Sequence, residues 1–211
     1  MMLAMESVSP YLAGLLAVVL LTSFVKIITT LSIVRFGLGL EGVGFGIVIL
    51  SLGLALSLMI MSRQSSGDFV MEALLSGRPA ADMAKIDRTF RPFLEKQSHK
   101  DIKQRFARIA VDLAGGGKDD ADGAKGEIAG ELPLPVLAAA FLVSELKEAF
   151  KLGFLFIIPF VVIDLLVVNV LMALGVTQMP HNVVSLPLKV ILFFAVDGWT
   201  LISEKLLAGY L

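Results

Sequence analysis

Two long apolar runs near the C-terminus, Phe150 to Leu174 and Leu186 to Leu207, contain or adjoin charges that suit neither a soluble core nor a lipid-facing helix. Those charges are Glu145, Lys147, Glu148, Lys151, Asp164, Lys189 and Asp197. A charge at the centre of a bilayer costs about 3 kcal/mol on insertion scales, so such side chains usually face a protein partner or a wet cavity. The pattern calls for a helical assembly with polar interfaces or a polar interior.

Composition supports a membrane chain. Of its 211 residues 56% are hydrophobic and 18% charged, with a mean hydropathy of +0.85. Soluble domains sit nearer roughly 45–50% apolar and 25% charged. The net charge of −1 argues against a polybasic nucleic-acid binder. With no cysteine, thiol catalysis, thiolate metal sites and disulfides are excluded. Met1 to Pro10 has no Lys or Arg, whereas a secretory leader normally begins with a positive region. Val8 to Leu21 is therefore expected to belong to a retained first membrane helix.

Four apolar segments can be marked: Val8 to Val34, interrupted by Lys26; Phe45 to Met61; and the C-terminal pair. Spanning a bilayer takes roughly 20 apolar residues, which the last two meet most cleanly. Pro159 is expected to kink the third, because proline removes a backbone donor and crowds the preceding turn. The expected fold is all-α. Residues 1–61 supply N-terminal apolar helices, 62–131 a polar amphipathic insertion, and 132–211 a helical hairpin whose loop spans 175–185. Within the insertion, Lys/Arg and Asp/Glu balance. Phe69 to Leu75 also has helical spacing, as do Phe90, Phe93 and Leu94, then Ile102, Phe106, Ile109, Ala110 and Leu113. Gly115 to Gly130 has the composition of a flexible linker. Lys26 and Arg35, the only basic residues in and between the first two segments, place that connection in the cytoplasm by the positive-inside rule.

Several motifs dissolve on inspection. Gly37, Gly39 and Gly42 spell G-x-G-x-x-G, but a dinucleotide site needs a preceding strand and an acid about 20 residues on, and neither is present. These glycines fit better as a bend or as small residues that let helices approach. Asp119, Asp120, Asp122 and Gly123 suggest a calcium loop, yet Lys118 and Ala129 occupy its first and last ligand positions. His99 and His181 have no partner at metal-ligand spacing, and no nucleophile–base pair or phosphate-cradling loop is found, so neither an enzyme nor a cofactor is expected.

The charges leave two readings open. Lys147 and Lys151 share a helix face, and Glu148 can pair with Lys151. Asp164, Lys189 and Asp197 lack local partners; they pair within the chain, as Asp164 with Lys189 across the hairpin, or between subunits.

Ser144-Glu145-Leu146-Lys147 with Ala149-Phe150 and Gly153-Phe154, then Pro159-Phe160 and Ile163-Asp164, resembles the third segment of the FliP/SctR export-gate family of type III secretion. Ser185-Leu186-Pro187-Leu188-Lys189 and Val196-Asp197-Gly198-Trp199 resemble its fourth. Thr22-Ser23-Phe24-Val25-Lys26-Ile27, with Leu31-Ser32 and Arg35, is similar to its first block, and Phe93-Leu94-Glu95-Lys96 through Phe106 to a block in its polar region. The missing leader and Phe24-Val25-Lys26-Ile27 look more like the injectisome branch.

The resemblance implies a non-enzymatic core subunit of an export gate at the bacterial inner membrane, raised toward the periplasm. Five copies would assemble with one related subunit and several small two-helix subunits, alongside other export components, to pass unfolded protein substrates. Lys26, Arg35, Glu145, Lys147, Asp164, Lys189 and Asp197 would then be inter-helix or inter-subunit charges. Family members close the pore with methionines in the loop between the last two segments. The matching positions are Val176, Thr177 and Gln178, followed by Met179, and Gly42-Val43-Gly44 stands where the family often has Pro-Pro. Two alternatives come from other classes. A small ion-coupled transporter would use Asp164 and Glu145 as carriers, and a scaffold would have no pore.

Overall fold

The computed structural model describes residues 22–40, 42–62, 83–113, 132–176 and 178–210. The expected helix through Val8 to Leu21, the Phe69–Leu75 segment, the 115–130 linker and Thr177 lie outside them. Every described element is helical: α1 (Phe24–Leu38), α2 (Val43–Ser62), α3 (Met83–Gln97), α4 (Lys100–Leu113), α5 (Leu134–Ala173), α6 (Asn182–Ala195) and α7 (Gly198–Ala208). The all-α expectation holds. α2 and α5 are long and apolar enough to cross a membrane, and α6 with α7 qualifies only as a pair bent by 62°. Pro159 lies within α5 without ending it, at the loss of one backbone hydrogen bond.

The chain divides into two compact units, one comprising Met1–Val25 and Met61–Lys147, the other Lys26–Ile60 and Glu148–Leu211. In the first, α3, α4 and the start of α5 bury Phe90, Phe93, Leu94, Ile102, Ala107, Leu137, Ala140 and Phe141. The Phe93 and Phe141 rings meet at 5.3 Å, a tilted geometry that aromatic quadrupoles favour. Polar ties fix the turn between α3 and α4. The Ser144 hydroxyl accepts from the His99 backbone N–H at 3.0 Å and donates to the Ala140 carbonyl at 2.7 Å, satisfying a donor at the start of α4 that the helix leaves orphaned. Arg91 bonds the Leu132 carbonyl at 2.9 Å and pairs with Asp87 at 2.8 Å.

The stripe expected along α4 is buried over only half its length: Ile102 is covered, whereas Ile109 and Leu113 are 49% and 83% exposed. The ties from Ser144 and from Lys103 to Glu95 all act at the first turn of α4, so its second half runs past these partners.

Asp101 lies 3.6 Å from Lys147, with both side chains largely exposed. Desolvation pushes the Asp101 carboxyl up; the Lys147 ammonium, the Ile102 and Asp101 backbone N–H groups and His99 outweigh it and hold the carboxyl below its ordinary value. A depressed folded-state pKa contributes stability that is present above the unfolded value and lost as pH falls through the folded one. Asp101→Asn should therefore have a lower thermal midpoint than the parent at neutral pH, and the gap should begin to close near pH 3.8 and vanish only below the lowered folded value; a gap that persists in stronger acid would show that the charge is not responsible.

In the second unit, Ile27, Leu31, Val34 and Leu38 form one face of α1 and pack with Ile49, Leu56 and Ile60 of α2, Phe160, Phe193, Ile202 and Leu206. Their 4-3-4 spacing is that of a helical stripe. α1 meets α5 through small residues. A Cβ on Gly153 would lie 2.9 Å from the Cβ of Ile33, and one on Gly37 would lie 2.6 Å from Ile157. Beside them, the Thr30 hydroxyl bonds the carbonyls of Lys26 at 2.9 Å and Ala149 at 3.3 Å. Ala149-x-x-x-Gly153 is thus a small-xxx-small face that admits α1 at close range, as membrane helices commonly do.

The run from Leu186 to Leu207 folds as two helices rather than one. Asp197 takes the left-handed conformation (φ 49°, ψ 54°) between them. A Cβ on Gly198 would come within 2.3 Å of the Phe193 ring, and Trp199 stands edge-on to that ring at 5.0 Å. Val196-Asp197-Gly198-Trp199 is therefore a bend packed around Phe193.

Candidate pore loop and buried ion pair

The loop between α5 and α6 is short and closed at both ends by backbone hydrogen bonds. Gly175 (φ 74°) ends α5 in a Schellman turn: its N–H donates to the Met172 carbonyl at 3.1 Å, and that of Val176 to Leu171 at 3.0 Å. A left-handed backbone costs most side chains about 1–2 kcal/mol, Asn and Asp less, so glycine suits position 175 best. The Val184 and Ser185 N–H groups donate to the His181 carbonyl and start α6. The tip between these ends is apolar and exposed at Leu174, Val176 and Met179, with Val183 following on α6; Gln178 is also exposed.

Two turns into α6, Lys189 turns its ammonium to α5 and to the end of α1. Its Nζ lies 2.6 Å from Asp164 Oδ2 and 3.0 Å from the Gly37 carbonyl. The Lys189 side chain is 7% exposed and that of Asp164 28%. Gly39 (φ 78°) closes α1 with its own Schellman bonds, from Gly39 N–H to Phe36 and from Leu40 N–H to Arg35. Gly37 is left with a terminal carbonyl, which Lys189 satisfies where the helix dipole also favours a cation. One ammonium pins three helices.

The other candidate charges do not converge on this site. Lys26 is buried with its Nζ 4.5 Å from the centre of the Tyr210 ring, a cation–π contact. Arg35 folds over the α1–α2 connection, donating to the Leu40 carbonyl at 2.6 Å and the Gly42 carbonyl at 3.1 Å. Glu145 is buried in the first unit, Lys147 pairs with Asp101, and Asp197 is exposed at the α6–α7 bend. Asp101 and Tyr210 escaped sequence reasoning because each meets its partner across a long sequence separation. The Ala149–Gly153 face did carry a local signal in its spacing.

A family model for the FliP family matches residues 4–206. The chain belongs to the FliP family. It is 33% identical to the flagellar biosynthetic protein FliP of Bacillus subtilis, over 100% of this chain and 90% of that protein. It is 34% identical to FliP of Caulobacter vibrioides, covering 92% of this chain and 70% of the relative. To the hypersensitivity response secretion protein HrcR of Ralstonia nicotianae it is 31% identical, over 92% and 90%. Flagellar FliP proteins and a secretion protein thus resemble the chain to nearly the same degree, and identity alone does not divide the two branches.

Proposed function

We infer that the chain is a core subunit of the type III secretion export apparatus, a membrane-embedded structural component. The observation that carries this is the family match over residues 4–206, with flagellar and secretion-system relatives aligned along nearly the whole chain. It favours export over the ion-coupled transporter that carboxylates in apolar segments would otherwise allow.

In this reading, five copies assemble at the bacterial inner membrane with one related subunit and several small two-helix subunits, forming a channel for unfolded proteins. The 40 residues of α5 make a rod about 60 Å long, twice the roughly 30 Å of a hydrocarbon core. That length exceeds one crossing, as an assembly raised out of the bilayer requires, and the family resemblance puts the raised part toward the periplasm. Residues 1–61 and 132–211 would build the gate and 62–131 its polar flank. Val176, Thr177, Gln178 and Met179 would form the pore gasket, with Val176 and Met179 supplying a flexible apolar ring and Gln178 hydrogen-bonding across the narrow pore. Lys26, Arg35, Glu145, Lys147, Asp164, Lys189 and Asp197 would hold helices or subunits together.

Native mass spectrometry of the detergent-extracted protein, co-expressed with the other export components, tests the assembly. A species with five copies and small membrane proteins attached is expected; a stable lone monomer or dimer would overturn it. The gasket has its own test. Replacing Val176 to Met179 with glycines should make cells leak small solutes while the assembly still forms, and a tight membrane in that variant would remove the loop from the seal.

A further inference from the structure

We propose that His181 makes the gate responsive to protons: neutral, it leaves the tip of the loop dry, and protonated, it brings a cation to the seal from every copy and wets it. This rests on the reading above that Val176 to Met179 close a pore.

Between Asp164 and Lys189 the sequence holds one titratable side chain, His181. Past the ion pair, α5 continues from Asp164 to Ala173, about 14 Å. The tip it carries is otherwise uncharged, with Met172, Leu174, Val176, Met179 and Val183 exposed. His181 stands two residues beyond Met179 and is itself exposed. If the copies converge at this tip to seal it, each brings its own imidazole beside the constriction, whatever the rise from one copy to the next.

The fold does not use that imidazole. α6 starts on backbone bonds from the Val184 and Ser185 N–H groups to the His181 carbonyl. The side chain makes no capping bond, and no hydrogen bond or ion pair among the described residues.

Nor does anything nearby neutralise it once charged. Among the described residues, the charged groups on the surrounding elements are Asp164 on α5, Lys189 on α6 and Arg35 near the end of α1. Asp164 lies 2.6 Å from Lys189, and His181 precedes Lys189 by two helical turns, about 12 Å along α6. Asp164 therefore acts on His181 only at a distance, and the other two groups are cations. The free N–H groups at the start of α6 are positive as well.

An apolar constriction stays shut because water leaves it. A charge there holds water, and like charges from neighbouring copies repel, so protonation opposes the closed state twice. Histidine is the side chain that changes charge between about pH 5 and 8. The seal is accordingly tight at neutral pH and opens in acid.

The test uses the whole assembly, co-expressed with the other export components, purified and reconstituted into lipid vesicles loaded with labelled sucrose, at one pH inside and out. A neutral solute keeps the charge of the cargo out of the result. Efflux from the parent should rise about tenfold between about pH 8 and about pH 5.5. His181→Gln should stay tight at both, and His181→Lys, charged throughout, should leak at both. An acid leak that persists in His181→Gln, or a tight His181→Lys, overturns the proposal. Native mass spectrometry at both pH values checks that the variants assemble like the parent, and a leak that tracks loss of copies overturns it too. The variant with glycines from 176 to 179 separates the two levels. If it leaks at both pH values while the parent ignores pH, the seal stands and the proton response falls; if it does not leak, both fall.

Discussion

Lys189→Met should destabilise the chain by about 3 kcal/mol, because removing one partner of a buried ion pair strands the other charge. The low end of the usual range applies, since Asp164 keeps 28% of its side chain exposed. The same substitution leaves the Gly37 carbonyl at the end of α1 without its donor. The control is Lys189→Met with Asp164→Leu, which replaces the pair by apolar groups of similar size and should recover most of the loss. Thermal unfolding of the purified protein, followed by helical circular dichroism, reads both. A double variant no more stable than the single one would place the weight on the carbonyl contact instead of the ion pair.

Gly153→Leu should be as damaging or worse. The first added carbon would lie 2.9 Å from the Cβ of Ile33, an atom fixed to its backbone, so no rotamer change relieves it and the two helices must part. Overpacking by even a few methylene groups costs about 1–3 kcal/mol, and here the Thr30 bond to the Ala149 carbonyl at 3.3 Å is lost with the close approach. Gly44→Ala is the counterpart: nothing lies within 4 Å of its added carbon, and removing a glycine from a helix should stabilise by about 0.5–1 kcal/mol. If the leucine variant unfolds no earlier than the parent, the Ala149–Gly153 face is not a tight contact.

Much of the fold was legible from periodicity. The run Phe45 to Met61 lies within α2, and the stripe Phe90, Phe93, Leu94 and Ile102 is buried in α3 and α4. The apolar run marked from Phe150 covers only part of α5, which starts at Leu134, because Glu145, Lys147 and Glu148 separate it from the apolar residues between Leu134 and Val143. The α6–α7 bend was hidden for a different reason. A glycine inside an apolar run is as compatible with a continuous helix as with a break, and what demands glycine at 198 is the Phe193 ring, which only the fold brings there. Asp164 and Lys189 could be named as one of two possible pairings, since a hairpin brings its arms together. Choosing between pairings required knowing the register. Lys147 was assigned by its neighbours on α5, yet its carboxylate partner comes from α4.

The bend at Asp197 has a consequence for how the chain reaches the membrane. α6 and α7, with 14 and 11 residues, are rods of about 21 and 16 Å, each too short for a hydrocarbon core of roughly 30 Å. Insertion machinery responds to the apolar length of the emerging chain, and Leu186 to Leu207 is long enough to be taken as one span. The bend depends on Phe193, Gly198 and Trp199 meeting, a contact that exists only in the folded chain. A stretch whose linear apolar length suits a single span is thus, in the folded chain, two short rods set at 62° to each other.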